Sequence, residues 1–317
     1  MSVHPKVVAV VLNWNRTADT LACLTSLATA SYGDLHVVVV DNGSTVSCRP
    51  EVERDHPWVE VVETETNLGY SGGNNVGIRH ALASGAAFVW ILNNDATVEP
   101  DALDALVDCA LRHQRAAAVG GRVYRADEPQ TLWVAWGRVT WRQSLIALEG
   151  QNEPDGPRFD GEREVEWLPG TAILLRAAAL AEIGAFDDTF FAYHEDVEWA
   201  ARAREAGLQL WFTGAARIRH AIHASSGGEE ASFTGFRSYL SARNSVLYAR
   251  RHGSAWQRAR MAAAIVATLP LQWARRAARG EQAGVRMKVR GWRDALAGRP
   301  IPFEELGLRR PGKKAPG

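Results

Sequence analysis

Two carboxylates stand side by side in FFAYHEDVEWAARAREAG, Glu195 and Asp196, after a cluster of aromatics and before an alanine-rich helical run. Acids in a first helical turn complement the helix dipole, so the pair reads as a charged helix start. A carboxylate near rings such as Phe191 and Tyr193 can also have a raised pKa, which suits a general base. A second set of polar residues closes the apolar runs expected to be strands. Asn13-Trp14-Asn15-Arg16, Asp41-Asn42-Gly43-Ser44 and Asn93-Asn94-Asp95 each end one, and NLGYSGGNN (67–75) follows another. Taken singly, each is an ordinary turn or helix cap. Four such ends delivering amides, hydroxyls and acids to one edge mark a ligand site, because open α/β sheets bind beyond the carboxyl ends of their strands. The glycines of NLGYSGGNN would let a helix N-terminus approach a diphosphate. The stretch nevertheless lacks the Lys-Ser/Thr of a phosphate loop and the GxGxxG order after the first strand.

The elements that must position these residues follow from hydrophobic periodicity. Residues 7–12 form a nearly continuous β-branched run, the pattern of a strand covered on both faces. Further strands are expected at 36–40, 59–62 and 88–92, and helices at 17–30, 71–84 and 101–113. That alternation implies a parallel sheet with right-handed crossovers. After Gly120 the pattern changes. Trp133, Trp136, Trp141 and Trp167 fall among Pro, Gly and mixed charge, which reads as loops and short antiparallel strands forming a variable binding surface. A strand at 171–175, helices at 177–183 and 195–205, and closing strands at 210–212 and 217–219 follow. From Phe236 the chain is helical and increasingly basic, and the Pro/Gly/Lys tail after Arg309 is expected to fray.

Composition excludes wholesale disorder, with 46% hydrophobic and 23% charged residues over 317 positions. The zero net charge hides an asymmetry: residues 271–317 hold twelve Lys/Arg against four Asp/Glu, leaving the first 270 acidic by eight. One end therefore faces something anionic. Three cysteines at no metal-like spacing read as reduced thiols. The chain enters a strand without a signal-peptide pattern, and the apolar run 261–271 is too short to span a bilayer. A cytoplasmic protein is expected, with peripheral contact at the inner face of the membrane through the basic helical end. Nucleic acid is not an expected partner, since the basic residues are not interleaved with a stacking platform.

The motifs VVLNWNR, VVVDNGS, NLGYSGGNN, ILNNDATV, WLPGTAILLR, FDDTFFAYHEDVEWAARAREAG and RHAIHASSGG occur in the order found in family 2 glycosyltransferases. Over about residues 7–228 the chain resembles the bacterial rhamnosyltransferase-like branch. The resemblance implies a GT-A α/β fold, a mostly parallel central sheet flanked by helices with a helical, basic C-terminal extension. It divides the chain into a catalytic domain (1–228, with a nucleotide-sugar half 1–120 and an acceptor half 121–228), a helical region (229–308) and a flexible tail (309–317). It further implies a nucleotide-diphosphate sugar donor (dTDP- or UDP-linked, dTDP-L-rhamnose first), a divalent cation (Mg²⁺ or Mn²⁺) and displacement with inversion. The acceptor would be a saccharide on a polyprenyl carrier or a secondary metabolite. By position, Asn13 and Asn15 match residues near the donor, and Asp41 the acid on the base or ribose. Asn67 and Gly72 lie beside the nucleotide in that match. Asp95 matches the last position of the metal-binding acidic motif, with Asn94 before it. Trp167 and Gly170 fall beneath donor sugar and acceptor. Asp196 matches the catalytic base, Glu195 its partner, and His220 a histidine near metal and diphosphate.

Two departures stand out. The metal motif carries one carboxylate instead of two, and His223 stands where relatives carry a small residue. A sugar nucleotidyltransferase and a non-catalytic nucleotide-sugar-binding subunit are the alternative classes, and a homodimer is compatible with either assignment.

Overall fold

The structure, a computed structural model, describes residues 4–221 and 235–308. Its centre is one large sheet. Strands β1 (Val7–Asn13), β2 (Leu35–Asp41), β3 (Glu60–Glu63) and β4 (Phe88–Asn93) pair in parallel in the order β3-β2-β1-β4. Helices α1 (Thr17–Leu27), α2 (Arg49–Asp55) and α3 (Gly69–Ala83) make the crossovers. The unbroken apolar runs of β1, β2 and β4 are sorted by the period of two. Val7, Ala9, Val11, Val37, Val39, Trp90 and Leu92 join a core with Leu24 and Leu27 of α1 and with α4 (Ala102–Arg112). Val8, Val10, Val38, Val40, Val89 and Ile91 face the other way, onto Ile78 and Ala81 of α3. Each buried valine contributes roughly 1.5–3 kcal/mol of apolar transfer, so a one-residue slip would move a whole strand set to the wrong core.

Beyond β4 the sheet is mixed rather than parallel. The order continues through β11 (Ala172–Arg176), β6 (Ala116–Arg125), β12 (Gln209–His220) and β10 (Glu162–Val165). β11 runs antiparallel to both neighbours, while β12 is parallel to β6. β6 is a ten-residue central strand where sequence predicts a change of pattern. Its AAAVGGRVYR composition is poor in β-formers, and pairing on both sides decides its state. The two closing strands expected at 210–212 and 217–219 are one strand with an irregularity between Phe212 and Arg217. β5 (Ala96–Val98) pairs with β12 and β7 (Leu132–Val134) with β6. The tryptophan-rich segment forms short antiparallel strands as expected, including the hairpin of β8 (Trp136–Val139) and β9 (Ile146–Glu149).

Helices α5 (Ala177–Ile183) and α6 (Glu195–Glu205) match their expected spans. The C-terminal region is helical, with α7 (Phe236–His252), α8 (Ala255–Ala277) and α9 (Gln282–Leu296). The boundary expected at 228 lies outside the described residues. The helix after it is not peripheral, since Ala242, Val246, Tyr248 and Ala249 of α7 share the core containing α3 and α6. The tail after 308 and His223 also lie outside the described residues.

Candidate active site

Parallel pairing aligns the strand ends. Asn13 of β1 lies across from Asp41 of β2, and Leu12 across from Asn93 of β4. Because β11 is antiparallel to β4, its beginning reaches the same edge, and Asn93 N donates to Thr171 O at 2.8 Å. β12 ends there too, with His220 beside Ala96.

Most of the strand-end polar groups are engaged in shaping that edge. The Asn13 side chain is fully buried, donating to Ser44 Oγ at 3.2 Å and accepting from Thr20 Oγ1 at 2.9 Å. Asn94 donates to the same Thr20 hydroxyl at 3.1 Å, and Asn15 accepts from Thr45 N at 2.7 Å. Asp41 accepts from Ser44 N (3.1 Å) and Cys48 N (2.8 Å), holding the loop after β2. Asn67 accepts from Gly69 N at 2.7 Å and from Asn42 Nδ2 at 3.1 Å. These residues fix the loops that would surround a nucleotide.

In the glycine-rich stretch several backbone N–H groups around the start of α3 are engaged: Leu68 N by Asn42 Oδ1, Gly69 N by Asn67 Oδ1, and Ser71 N by Phe191 O at 3.0 Å. The glycines also serve packing, since a Cβ on Gly73 would clash with Leu12 Cδ1 of β1, as one on the nearby Gly77 would with Val10 Cγ1. Gly69 has φ +77°, and a Cβ there would lie 2.4 Å from Phe191 O. Gly72 faces Leu68 and Asp188, lining a cavity of about 350 Å³ with Phe191 and Arg243.

Asp95 and His220 are a contrast to these satisfied groups. Asp95 is buried where β4 gives way to β5, and both its carboxylate oxygens lack a hydrogen-bond donor. His220 Nε2 is 2.9 Å from Asp95 Oδ1 without the alignment of a hydrogen bond, and its Nδ1 is also buried without a partner. A buried carboxylate left without donors is costly. His220 Nε2 has only the Asn93 amide, at 3.5 Å, besides Asp95, and a donor-free carboxylate beside an imidazole is the kind of ligand pair that suits a divalent cation.

The acid pair opens α6. Asp196 accepts from Gly170 N through Oδ2 and from Val197 N through Oδ1, each at 2.8 Å. Burial pushes its pKa up to about 6, against the opposing pull of those N–H groups and of the nearby Trp167 indole. The Asp196 side chain keeps partial contact with solvent. Glu195 is 5% exposed, its Oε2 has no donor, and burial together with the Asp196 charge drives its pKa well above the carboxylate range. Burial thus raises both acids of the pair, and the Asp196 charge adds to the rise at Glu195. The expected raised pKa is present, but its setting is the Trp167–Gly170 turn rather than Phe191 and Tyr193.

Tyr70, in the first turn of α3, is absent from the sequence-derived site. Its hydroxyl donates to Gly170 O at 2.7 Å, and burial, helped by the acids Glu195, Asp196 and Asp95, pushes its pKa well up. Gly170, whose N–H is held by Asp196, thus ties Tyr70 to Asp196 in one candidate cleft. The readable signal was an aromatic inside a glycine-rich helix start, where no packing reason demands one.

The model of the glycosyltransferase like family 2 matches residues 4–244. The N-acetylglucosaminyl-diphospho-decaprenol L-rhamnosyltransferase of Mycobacterium tuberculosis is 31% identical over 279 residues, covering 79% of this chain and 82% of that protein. Galactofuranosyltransferase GlfT1 of Mycolicibacterium smegmatis is 29% identical over 213 residues, covering 65% of this chain and 68% of that protein. A mannosyltransferase from Pyrobaculum calidifontis, solved with GDP-Man and Mn²⁺, superposes with a TM-score of 0.59 at 19% identity, over 93% of this chain and 88% of that one. A likeness at that identity is one of fold. With the family match running from before the first strand to the buried Asn244, the protein is a member of the glycosyltransferase like family 2, built on the GT-A fold.

Proposed function

We propose that this glycosyltransferase moves L-rhamnose from dTDP-L-rhamnose to a hydroxyl of a lipid-linked saccharide, with inversion and with the help of a divalent cation. The observation that carries the reading is Asp196, a carboxylate held at the start of α6 by the backbone N–H groups of Gly170 and Val197, with burial pushing its pKa up to about 6. Asp196 takes the proton of the acceptor hydroxyl as its oxygen bonds to the anomeric carbon. The bond from that carbon to the diphosphate oxygen breaks on the opposite face, and the electron pair leaves with the nucleoside diphosphate. Asp95 and His220 would hold Mg²⁺ or Mn²⁺, which supplies charge neutralisation for the departing diphosphate. Burial and the Asp196 charge raise the pKa of Glu195, which disfavours a second negative charge beside the base. The choice of rhamnose and of a diphospho-lipid acceptor rests on the relative named for both.

The direct test offers the purified protein dTDP-, UDP- and GDP-sugars with a short-chain polyprenyl-diphospho-N-acetylglucosamine and Mn²⁺. Transfer from dTDP-L-rhamnose to a product of inverted configuration is expected. Release of inorganic diphosphate from a nucleoside triphosphate and a sugar phosphate would instead identify a nucleotidyltransferase.

A lipid-borne acceptor requires the enzyme to reach a bilayer, and α8 has the surface for it. Only Met261 of its 23 residues is buried, while Trp256, Val266, Leu271 and Trp273 are exposed. Residues 253–280 contain five arginines and no acid. Arg286 lies over Trp273, and both line a cavity of about 620 Å³ between α8, α9 and the segment after it. No helix among the described residues is long and apolar enough to cross a membrane. An apolar stripe rimmed by arginines favours lying in an anionic interface. The protein is expected to float with phosphatidylglycerol vesicles at low salt and to be released as salt rises. Absence from the vesicle fraction at low salt would remove this contact.

A further inference from the structure

The chain leading to the acid pair is held in conformations that residues with side chains rarely adopt. Phe191 (φ 60°, ψ −60°), Tyr193 (φ 70°) and His194 (φ 69°) all have positive φ, in the four residues before Glu195. Phe191 is the centre of a γ-turn, closed by Ala192 N donating to Phe190 O at 2.6 Å. Such a path persists only where its surroundings over-determine it.

The surroundings come from α7, 50 residues further along the chain. Asn244 is fully buried, and its Nδ2 lies 2.9 Å from Phe190 O, 2.9 Å from Ala192 O and 2.7 Å from Tyr193 O. The neighbouring Arg243 donates to Thr189 O and to Asn244 Oδ1, both at 2.9 Å, which fixes the amide's orientation. Phe191 O, the carbonyl Asn244 does not reach, accepts from Ser71 N. Every backbone carbonyl from 189 to 193 thus has a donor, and α7 supplies four of the five. Those carbonyls would otherwise lie unpaired in the interior. The side chain chemistry is specific. An amide offers two N–H donors to a cluster of carbonyls, whereas an isosteric carboxylate would offer only acceptors.

We infer that Asn244 is a positioning residue for the acid pair: its amide, oriented by Arg243, holds residues 190–193 in the strained path that sets Glu195 and Asp196 at the cleft. The C-terminal helices then complete the active site as well as facing the membrane. The inference deepens the reading of Asp196 as base and rests on it for its kinetic part, while its geometric part stands on the contacts alone.

The test compares Asn244→Ala and Asn244→Ser with Val246→Ala, which opens a cavity on the same helix without removing a hydrogen bond to residues 189–193. Transfer kinetics with dTDP-L-rhamnose are measured alongside a carbon-13 titration of the Asp196 carboxyl, assigned by its loss in Asp196→Asn. The groups facing that carboxyl are Glu195 and Tyr70, and both are unchanged in every variant. For Asn244→Ala, kcat is expected to fall about 10²-fold, the scale of an ångström-level misplacement, with the donor KM within about threefold. The Asp196 midpoint moves down from about 6 as water enters. Asn244→Ser, keeping one donor, falls between, and it carries the comparison if the alanine variant does not fold. Val246→Ala loses melting temperature but keeps kcat and midpoint. A kcat for the Asn244 variants within about threefold of Val246→Ala, together with an unmoved midpoint, overturns the inference. If the parent protein itself transfers no sugar, the proposed function fails, and the titration still decides whether Asn244 positions the pair.

Discussion

Asp196→Asn is expected to lower sugar transfer by about 10²–10⁴-fold, the usual contribution of a positioned general base, while the protein stays folded. The amide accepts from only one of the two N–H groups, Gly170 and Val197, that now share the carboxylate. Losing one such bond costs about 1 kcal/mol, and removing a charge that burial already disfavours offsets it. The pH profile supplies the second half of the test. With a folded-state value near 6, kcat of the parent enzyme rises with pH through about 6 and levels above it, and the variant lacks that limb. The stability effect has the opposite sign. The folded protein holds its proton to higher pH than the unfolded chain, whose ordinary value is 3.8, so Asp196 stabilises the fold least at high pH. Its contribution is lost as pH climbs from about 4 to about 6, and Asp196→Asn flattens the melting curve over that window. Glu195→Gln is expected to keep far more activity, because burial and the Asp196 charge both favour the neutral form of Glu195, which the amide imitates. A reversed ranking of the two variants would reassign the base.

Asp95→Asn is expected to separate activity from stability. The carboxylate is buried with neither oxygen receiving a hydrogen bond. A donor-less buried charge opposes folding, so without cation the variant melts no lower than the parent protein. Transfer falls by about 10²–10³-fold, the cost of removing one electrostatic stabiliser of a developing charge. The melting-temperature rise that Mn²⁺ and dTDP together give the parent protein by mass action disappears. A variant that is less stable without cation, or equally stabilised by Mn²⁺ with dTDP, would remove Asp95 from the cation site. His220, 2.9 Å away, is the partner whose substitution should weaken the same response.

Particular elements show where sequence reasoning reached and where it stopped. The β-branched runs of β1, β2 and β4 bury both faces, and nothing else could fold them differently. Helix α6 was legible to the residue, because acids at its first turn and arginines at its last complement the helix dipole. β6 was not legible, since its alanines and glycines favour no state until β11 and β12 flank it. The glycines of NLGYSGGNN were legible as a requirement for close approach, but not as to what approaches. Gly73 is approached by Leu12 of β1 and Gly69 by the carbonyl of Phe191.

By itself the sequence determined the parallel half of the sheet, the edge at which polar residues gather and the motifs that place the chain in its family. Those features are local, written in runs of a few residues whose period and composition admit one structure. The tertiary structure alone decided which polar groups are engaged and which are left over. Asn13, Asp41 and Asn67 bind loops, both Asp95 oxygens and His220 Nδ1 are buried without a partner, and Asp196 accepts from Gly170 N and Val197 N while Glu195 Oε2 has no donor. Some of these bonds are local, but those from Asn42 to Asn67, from Gly170 to Asp196 and from Tyr70 to Gly170 join residues 25, 26 and 100 positions apart, and no short window of sequence contains them.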